Sequence, residues 1–233
     1  MFQQKNIAII GASSGIGLEI ARLLHKQGAI LYTFSRHPLP DDLQGVSWHH
    51  LDVGEADGVL EGLPDQLHGM VYCPGTINLK PFNRISAQDF RQELEINATG
   101  AFLALQKSYP ALKASGEGSV VLFSTVAVQT GMAFHAGIAA AKGAVEGLVR
   151  ALAAEWAPGV RINAVAPSLT DTPLASRLLN TDEKRLNAAN RHPLRRVGTP
   201  ADMAQTALFL LSEHASFMTG QILHVDGGMG NLR

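Results

Sequence analysis

A chain of 233 residues, 46% hydrophobic and 17% charged, carries enough apolar material for one large α/β domain and is short for two. A net charge of −1 leaves no broad electrostatic footprint for nucleic acid or an anionic membrane, and a mean hydropathy of +0.07 argues against a disordered chain. One cysteine, Cys73, excludes an intrachain disulfide and suggests a reducing compartment.

Residues 1–10 lack the apolar core and cleavage site of a signal peptide. The weakly polar stretch 133–157 is interrupted by Lys142, Glu146, Arg150 and Glu155, so it does not read as membrane-spanning. The expectation is a soluble, cytoplasmic protein.

Strand-like and helix-like runs alternate. Short, apolar, β-branched runs at 6–10, 29–35, 46–50, 69–73, 119–124, 161–166 and 221–225 predict strands. Between them, 15–27, a short piece near 55–63, 87–115, 136–156 and 200–212 predict helices. Parallel neighbours need crossover helices, so this order predicts a single three-layer, doubly wound parallel sheet spanning 1–233. The longest excursion, around 168–199, has helical pieces at 174–179 and 182–190. It follows the C-terminal end of a strand, where an α/β enzyme carries a substrate lid.

The first strand leads into Gly11-Ala-Ser-Ser-Gly15-Ile-Gly17 and then a helix. Glycines permit a tight turn and let backbone N–H groups, with Ser13, Ser14 and Ile16 between them, approach a pyrophosphate at the helix N-terminus. The spacing is Gly-x3-Gly-x-Gly rather than Gly-x-Gly-x2-Gly, and no Gly-Lys-Ser/Thr follows to make a P-loop.

Further on stand Asp52-Val53, Gly75, Ile96-Asn97-Ala-Thr-Gly100, Ala140-Ala-Lys142-Gly-Ala-Val145, Arg161-Ile-Asn-Ala-Val-Ala-Pro167 and Thr219-Gly-Gln-Ile-Leu-His-Val-Asp-Gly-Gly228. With the glycine loop, these make the chain resemble the short-chain dehydrogenase/reductase family over nearly its whole length. Its C-terminal half resembles the 3-oxoacyl-carrier-protein reductase branch. The resemblance implies an oxidoreductase with a nicotinamide dinucleotide. Asp52 and Val53 would lie at the adenine and Gly75 on the adenosine side, with Lys142 on the nicotinamide ribose. Pro167, Thr170 and Thr172 would lie at the carboxamide. The stretch Asp171-Thr172-Pro173 also reads as a helix N-cap.

An acid at the end of the second strand would hydrogen-bond a ribose 2′-hydroxyl and repel a 2′-phosphate. This chain reads Thr33-Phe34-Ser35-Arg36-His37, with no acid and a guanidinium beside Ser35. The expected cofactor is NADP(H), preferred over NAD(H).

The family's proton donor is a tyrosine four residues before the lysine, assisted by a serine and an asparagine. Here Asn97 and Lys142 match, Thr125 (with Ser124 beside it) takes the serine position, and Ile138 takes the tyrosine position. Tyr32, Tyr72 and Tyr109 lie elsewhere. Three readings stay open. A different donor, His135, could serve reduction of a carbonyl or of a C=C bond conjugated to a thioester, the enolate being met by hydroxyl and ammonium groups. Weak ketone reduction could persist through Thr125, Lys142 and water. Catalysis could be lost, leaving an NADPH-binding sensor or a non-catalytic subunit.

His135 also reads as a plain loop residue entering the helix. Cys73 reads as a small buried residue rather than a nucleophile. His49, His50, His192, His214 and His224 show no metal-ligand spacing. The helix at 136–156 is apolar on several sides. By resemblance, it and the C-terminal strand imply a homotetramer acting on a small-molecule or acyl-thioester substrate.

Overall fold

In the computed structural model, which describes residues 1–55 and 60–232, seven strands lie parallel in one sheet. They are β1 (Asn6–Ile10), β2 (Ile30–Ser35), β3 (Ser47–His50), β4 (Gly69–Tyr72), β5 (Gly118–Phe123), β6 (Val160–Pro167) and β7 (Ile222–Val225). Their spatial order is β3-β2-β1-β4-β5-β6-β7, so the winding reverses between β1 and β4. That reversal opens a crevice at the carboxyl ends of the strands.

Side chains alternate across the sheet and divide the core into two layers. Ala8 and Ile10 of β1 pack with Leu105, Leu112, Val145 and Val149 from α3 (Gly100–Ala114) and α5 (Ala136–Trp156). Ile7 and Ile9 face the other way, onto Ile20 and Leu24 of α1 (Gly15–Lys26) and Met203 and Leu208 of α7 (Pro200–Leu211). The central strands β4 and β5 are buried along their whole length, which explains their continuous apolar runs. This is the doubly wound three-layer architecture that the alternating pattern predicts. No helix among the described residues is long and apolar enough to cross a membrane.

One expected element lies largely outside the described residues, and another differs. The short helix near 55–63 falls mainly on residues 56–59, which lie outside the described residues, and 60–63 are not helical. The single helix expected over 87–115 is interrupted. It begins as α2 (Ala87–Leu94), closed at its N-terminus by a Ser86–Asp89 capping box, passes through a π-helical turn at Glu95–Thr99, and resumes as α3.

The interruption has a local cause. The Tyr72 hydroxyl donates to the Ile96 carbonyl at 2.6 Å, and the Gly100 N–H reaches back to Glu95 instead. Gly100 makes room for the phenol, since a Cβ there would lie 2.4 Å from Tyr72 Oη. Such π turns often mark functional sites, and Asn97 sits inside this one.

After β6 the chain makes its long excursion, with a 3-10 turn at Pro173–Leu178 and then α6 (Asp182–Asn190). An isolated Thr170–Gly198 bridge closes the neck of this loop. A second capping box, Thr199–Asp202, with Pro200 in the first turn, starts α7 and returns the chain to the sheet. The remaining short helix, α4 (Ala127–Thr130), follows β5.

Replacing Tyr72 by Phe leaves the Ile96 carbonyl without its donor. We expect a loss of about 1–3 kcal/mol in denaturant unfolding. A loss within error would show that the phenol does not hold the π turn.

Candidate active site

The site assembles at the carboxyl edge of β1, β4, β5 and β6. Gly11 and Gly15 have φ of +83° and +56°, backbone open to glycine without strain. A Cβ on Gly17 would lie 2.2 Å from the Gly11 carbonyl oxygen, so the loop folds back directly on the start of α1. Ser14, the N-cap of α1, makes no side-chain capping bond, and the first turn holds no acid. The leading N–H groups of that helix are therefore left to meet an anion.

At the end of β2, the Ser35 hydroxyl donates to the His37 carbonyl at 2.7 Å and accepts from Trp48 Nε1 at 3.0 Å. Arg36 is exposed and makes no ion pair among the described residues. Asp52 follows β3, half-buried, with Oδ1 accepting from the Gly54 N–H at 3.0 Å; Val53 is half-buried beside it.

Beyond β4 the chain reaches Gly75. A Cβ there would stand 3.2 Å from Asn97 Oδ1 and 3.6 Å from Lys142 Nζ. The missing side chain brings amide, ammonium and backbone together. Asn97 Nδ2 donates to Thr76 Oγ1 at 2.8 Å and to the Glu93 carbonyl at 2.9 Å, while its buried Oδ1 has no partner among the described residues. Lys142 is buried on α5, and desolvation brings its ammonium down to about 8, with Cys73 opposing the shift. Burial pushes the half-buried Cys73 thiol up to about 12, which keeps it protonated and a poor nucleophile.

Cys73 and Lys142 border a cavity of about 420 Å³ that also takes in Ile16, Gly75, Thr125 and Pro167. Ser124 is buried and donates to Glu146 Oε1 at 2.8 Å, so Thr125 is the hydroxyl available to the cavity. Ile138 reaches the cavity wall one turn before Lys142 on α5 and presents an aliphatic group there. His135, the N-cap residue of α5, also lines the cavity; its Nδ1 faces the Ala133 carbonyl at 2.7 Å and therefore carries the proton. Thr170 is buried on the far wall, while Thr172 caps the 3-10 turn by accepting from the Ala175 N–H. A Cβ on Gly15 would lie 3.5 Å from Thr172, so the excursion closes over the glycine loop.

Two features escaped the sequence. Ser168 and His192, 24 residues apart, meet on the cavity wall with Oγ and Nε2 at 2.8 Å. Glu93 is buried with both carboxylate oxygens unpartnered, and burial and Asp89 raise its pKa. Gly137 exists to admit it, since a Cβ there would meet Glu93 Oε2 at 2.6 Å. A signal for Glu93 was present in the four-residue spacing of Asp89, Glu93 and Asn97, which places them on one helix face.

The family described as enoyl-(acyl carrier protein) reductase matches residues 11–230. The chain belongs to the short-chain dehydrogenase/reductase family. It is 33% identical to a tropinone reductase homolog of Arabidopsis thaliana, over 97% of this chain and 93% of the relative. It is also 33% identical to the cis-4-hydroxycyclohexanecarboxylate dehydrogenase of Sinomonas cyclohexanicum, over 97% of each chain. A solved structure from Beutenbergia cavernae, named for an NAD(P)-dependent gluconate 5-dehydrogenase and holding NADP, matches with a TM-score of 0.87 and 31% identity over 97% of each chain. Relatives named dehydrogenases and reductases make this chain an oxidoreductase. The short-chain fold binds nicotinamide nucleotides. The uncapped helix start, the glycine cradle and the buried ammonium suit one here.

Lys142 carries its proton below about pH 8 and loses it as the pH rises through that value. Affinity for a nicotinamide nucleotide should therefore fall about tenfold between pH 7 and 9, the worth of one charge-assisted hydrogen bond. Lys142→Met should bind weakly and show little change. A native profile as flat as the variant's would remove Lys142 from the cofactor site.

Proposed function

We propose that this chain is an NADP(H)-dependent reductase that works without the family's phenol. It would act on a carbonyl, or on a C=C bond conjugated to one, in a small or acyl-thioester substrate. The observation that carries this reading is the meeting of Lys142, Asn97 Oδ1 and Gly75 beside a cavity whose wall includes Thr125.

Gly11, Ser13, Ser14, Gly15, Ile16 and Gly17 would hold the pyrophosphate at the α1 N-terminus. Ser35 and Arg36 would meet the 2′-phosphate, and the exposed guanidinium, with no acid beside it on β2, supports that choice. Asp52 and Val53 would flank the adenine, Gly75 the adenosine side, Lys142 the nicotinamide ribose, and Pro167, Thr170 and Thr172 the carboxamide. When bound, the reduced nicotinamide supplies a hydride.

The chain's own groups do the rest. Thr125 donates to the substrate oxygen, and the Lys142 ammonium offsets charge gathering there. Asn97 Oδ1 receives a relay water. With Ile138 in the tyrosine position, the proton comes from an imidazole of the cavity wall, His135 being the one sequence points to.

The excursion 168–199 acts as the lid. Its Leu174 and Leu178 supply apolar wall, and Lys184 and Arg191 stand at the same cavity. An apolar body with an anionic group suits that lining. Leu148 and Leu152 of α5, together with β7, support a homotetramer, and the single cysteine supports a cytoplasmic setting.

Binding of NADPH and NADH, with turnover of ketones, enals and enoyl thioesters, tests the reading. NADPH should bind tighter, and Arg36→Ala should cost about tenfold in NADPH affinity while leaving NADH unchanged. Equal affinities in the native chain sink the coenzyme assignment. Tight NADPH binding with no turnover across the panel sinks the reductase.

A further inference from the structure

Resting on the reductase reading, we propose that Ser168 and His192 deliver the proton, Ser168 touching the substrate oxygen and His192 recharging Ser168. Both line the cavity that contains Thr125 and Lys142. Ser168 follows the last residue of β6, and His192 lies in the turn after α6.

His192 Nδ1 lies 2.8 Å from the Ala188 carbonyl, which only accepts, so Nδ1 is protonated. Nε2 lies 2.8 Å from Ser168 Oγ, and the same Oγ lies 3.3 Å from the Asp226 carbonyl, which also accepts from the Met229 N–H at 3.2 Å. With a neutral ring Ser168 donates to Nε2; with an imidazolium Nε2–H donates to Ser168 Oγ and Ser168 donates to the Asp226 carbonyl. The same contact thus accommodates the ring with one proton or two, which is what a relay needs. When a substrate oxygen gains charge, the Ser168 proton has a new and stronger acceptor.

As hydride from the reduced nicotinamide nucleotide adds to carbon, the π pair settles on the substrate oxygen. The Ser168 O–H bond breaks as an O–H bond forms on that oxygen. The Nε2 proton of His192 moves to Ser168 Oγ, and the ring, now neutral, keeps Nδ1–H on Ala188. Water restores the second proton.

His135 is less well built for this. It is half-buried, and its only hydrogen bond among the described residues is to the Ala133 carbonyl, with no hydroxyl between ring and cavity. His192 is 3% exposed and is held at both ring nitrogens. The charged groups near His192 are Lys184 and Arg191 on the α6 side, Arg195 three residues on, and the Asp226 carboxylate. That carboxylate accepts from the Gly228 and Gly230 N–H groups at 2.8 Å each.

Ser168→Ala, His192→Gln and His135→Gln should be compared, with NADPH and acetoacetyl-CoA, ethyl acetoacetate and crotonyl-CoA as probes. Ser168→Ala and His192→Gln should each lower kcat about 100-fold or more and leave the NADPH dissociation constant unchanged. In His192→Gln, the shape of the pH–rate profile should depart from the native one.

Histidine-ring NMR supplies a readout that needs no turnover. The resonance absent from His192→Gln should move in Ser168→Ala, which removes the hydroxyl at Nε2. An unmoved resonance, a native pH profile in His192→Gln, or a rate loss confined to His135→Gln overturns the proposal. A native chain that binds no NADPH strikes the reductase reading instead, and the resonance still decides whether ring and hydroxyl are paired.

Discussion

The Tyr72 hydroxyl gives its hydrogen to the Ile96 carbonyl, and the arrangement of the site follows from that bond. The carbonyl is taken out of the helical ladder, the next N–H pairs one residue further back, and the chain steps through a π turn. Asn97 sits in that turn and comes to face the backbone at Gly75. Because Gly75 has no side chain, Lys142 on α5 reaches the same point. One phenol on a buried strand therefore aligns an amide and an ammonium from two other elements. The Tyr72 phenol thus acts as a support for the helix.

Burial sets the electrostatic character of the site. It costs the charged form of Lys142 and favours the neutral forms of Cys73 and Glu93. An ammonium so poised near neutrality responds strongly to any negative charge placed beside it. Ile138 adds an aliphatic group to the same wall. Transition-state charge on an oxygen in such surroundings feels each nearby donor more than it would in water.

Much of the architecture was legible because it follows short-range rules. Alternation of buried strand runs with helices gave a parallel sheet, the glycine loop stood between β1 and α1 where a phosphate site requires it, and the absence of acid after Ser35 is a matter of composition. Two things were not legible. The π turn depends on a contact between residues 72 and 96, and nothing in the helical stretch 87–115 announces it apart from Gly100. The Ser168–His192 contact arises because the excursion doubles back through α6, and a separation of 24 residues leaves no periodic trace. Local pattern records an element; it does not record which loops fold onto one another.

The neck of the excursion has a consequence for how such a chain can change. The Thr170–Gly198 bridge closes the loop upon itself, so the intervening stretch can lengthen, shorten or be exchanged without disturbing the sheet. Ser168 lies on the scaffold side of that neck and His192 on the exchangeable side. A graft that imports another loop to admit a new substrate also removes one half of the hydroxyl–imidazole pair. In this architecture, the loop and one half of the Ser168–His192 contact are inherited together.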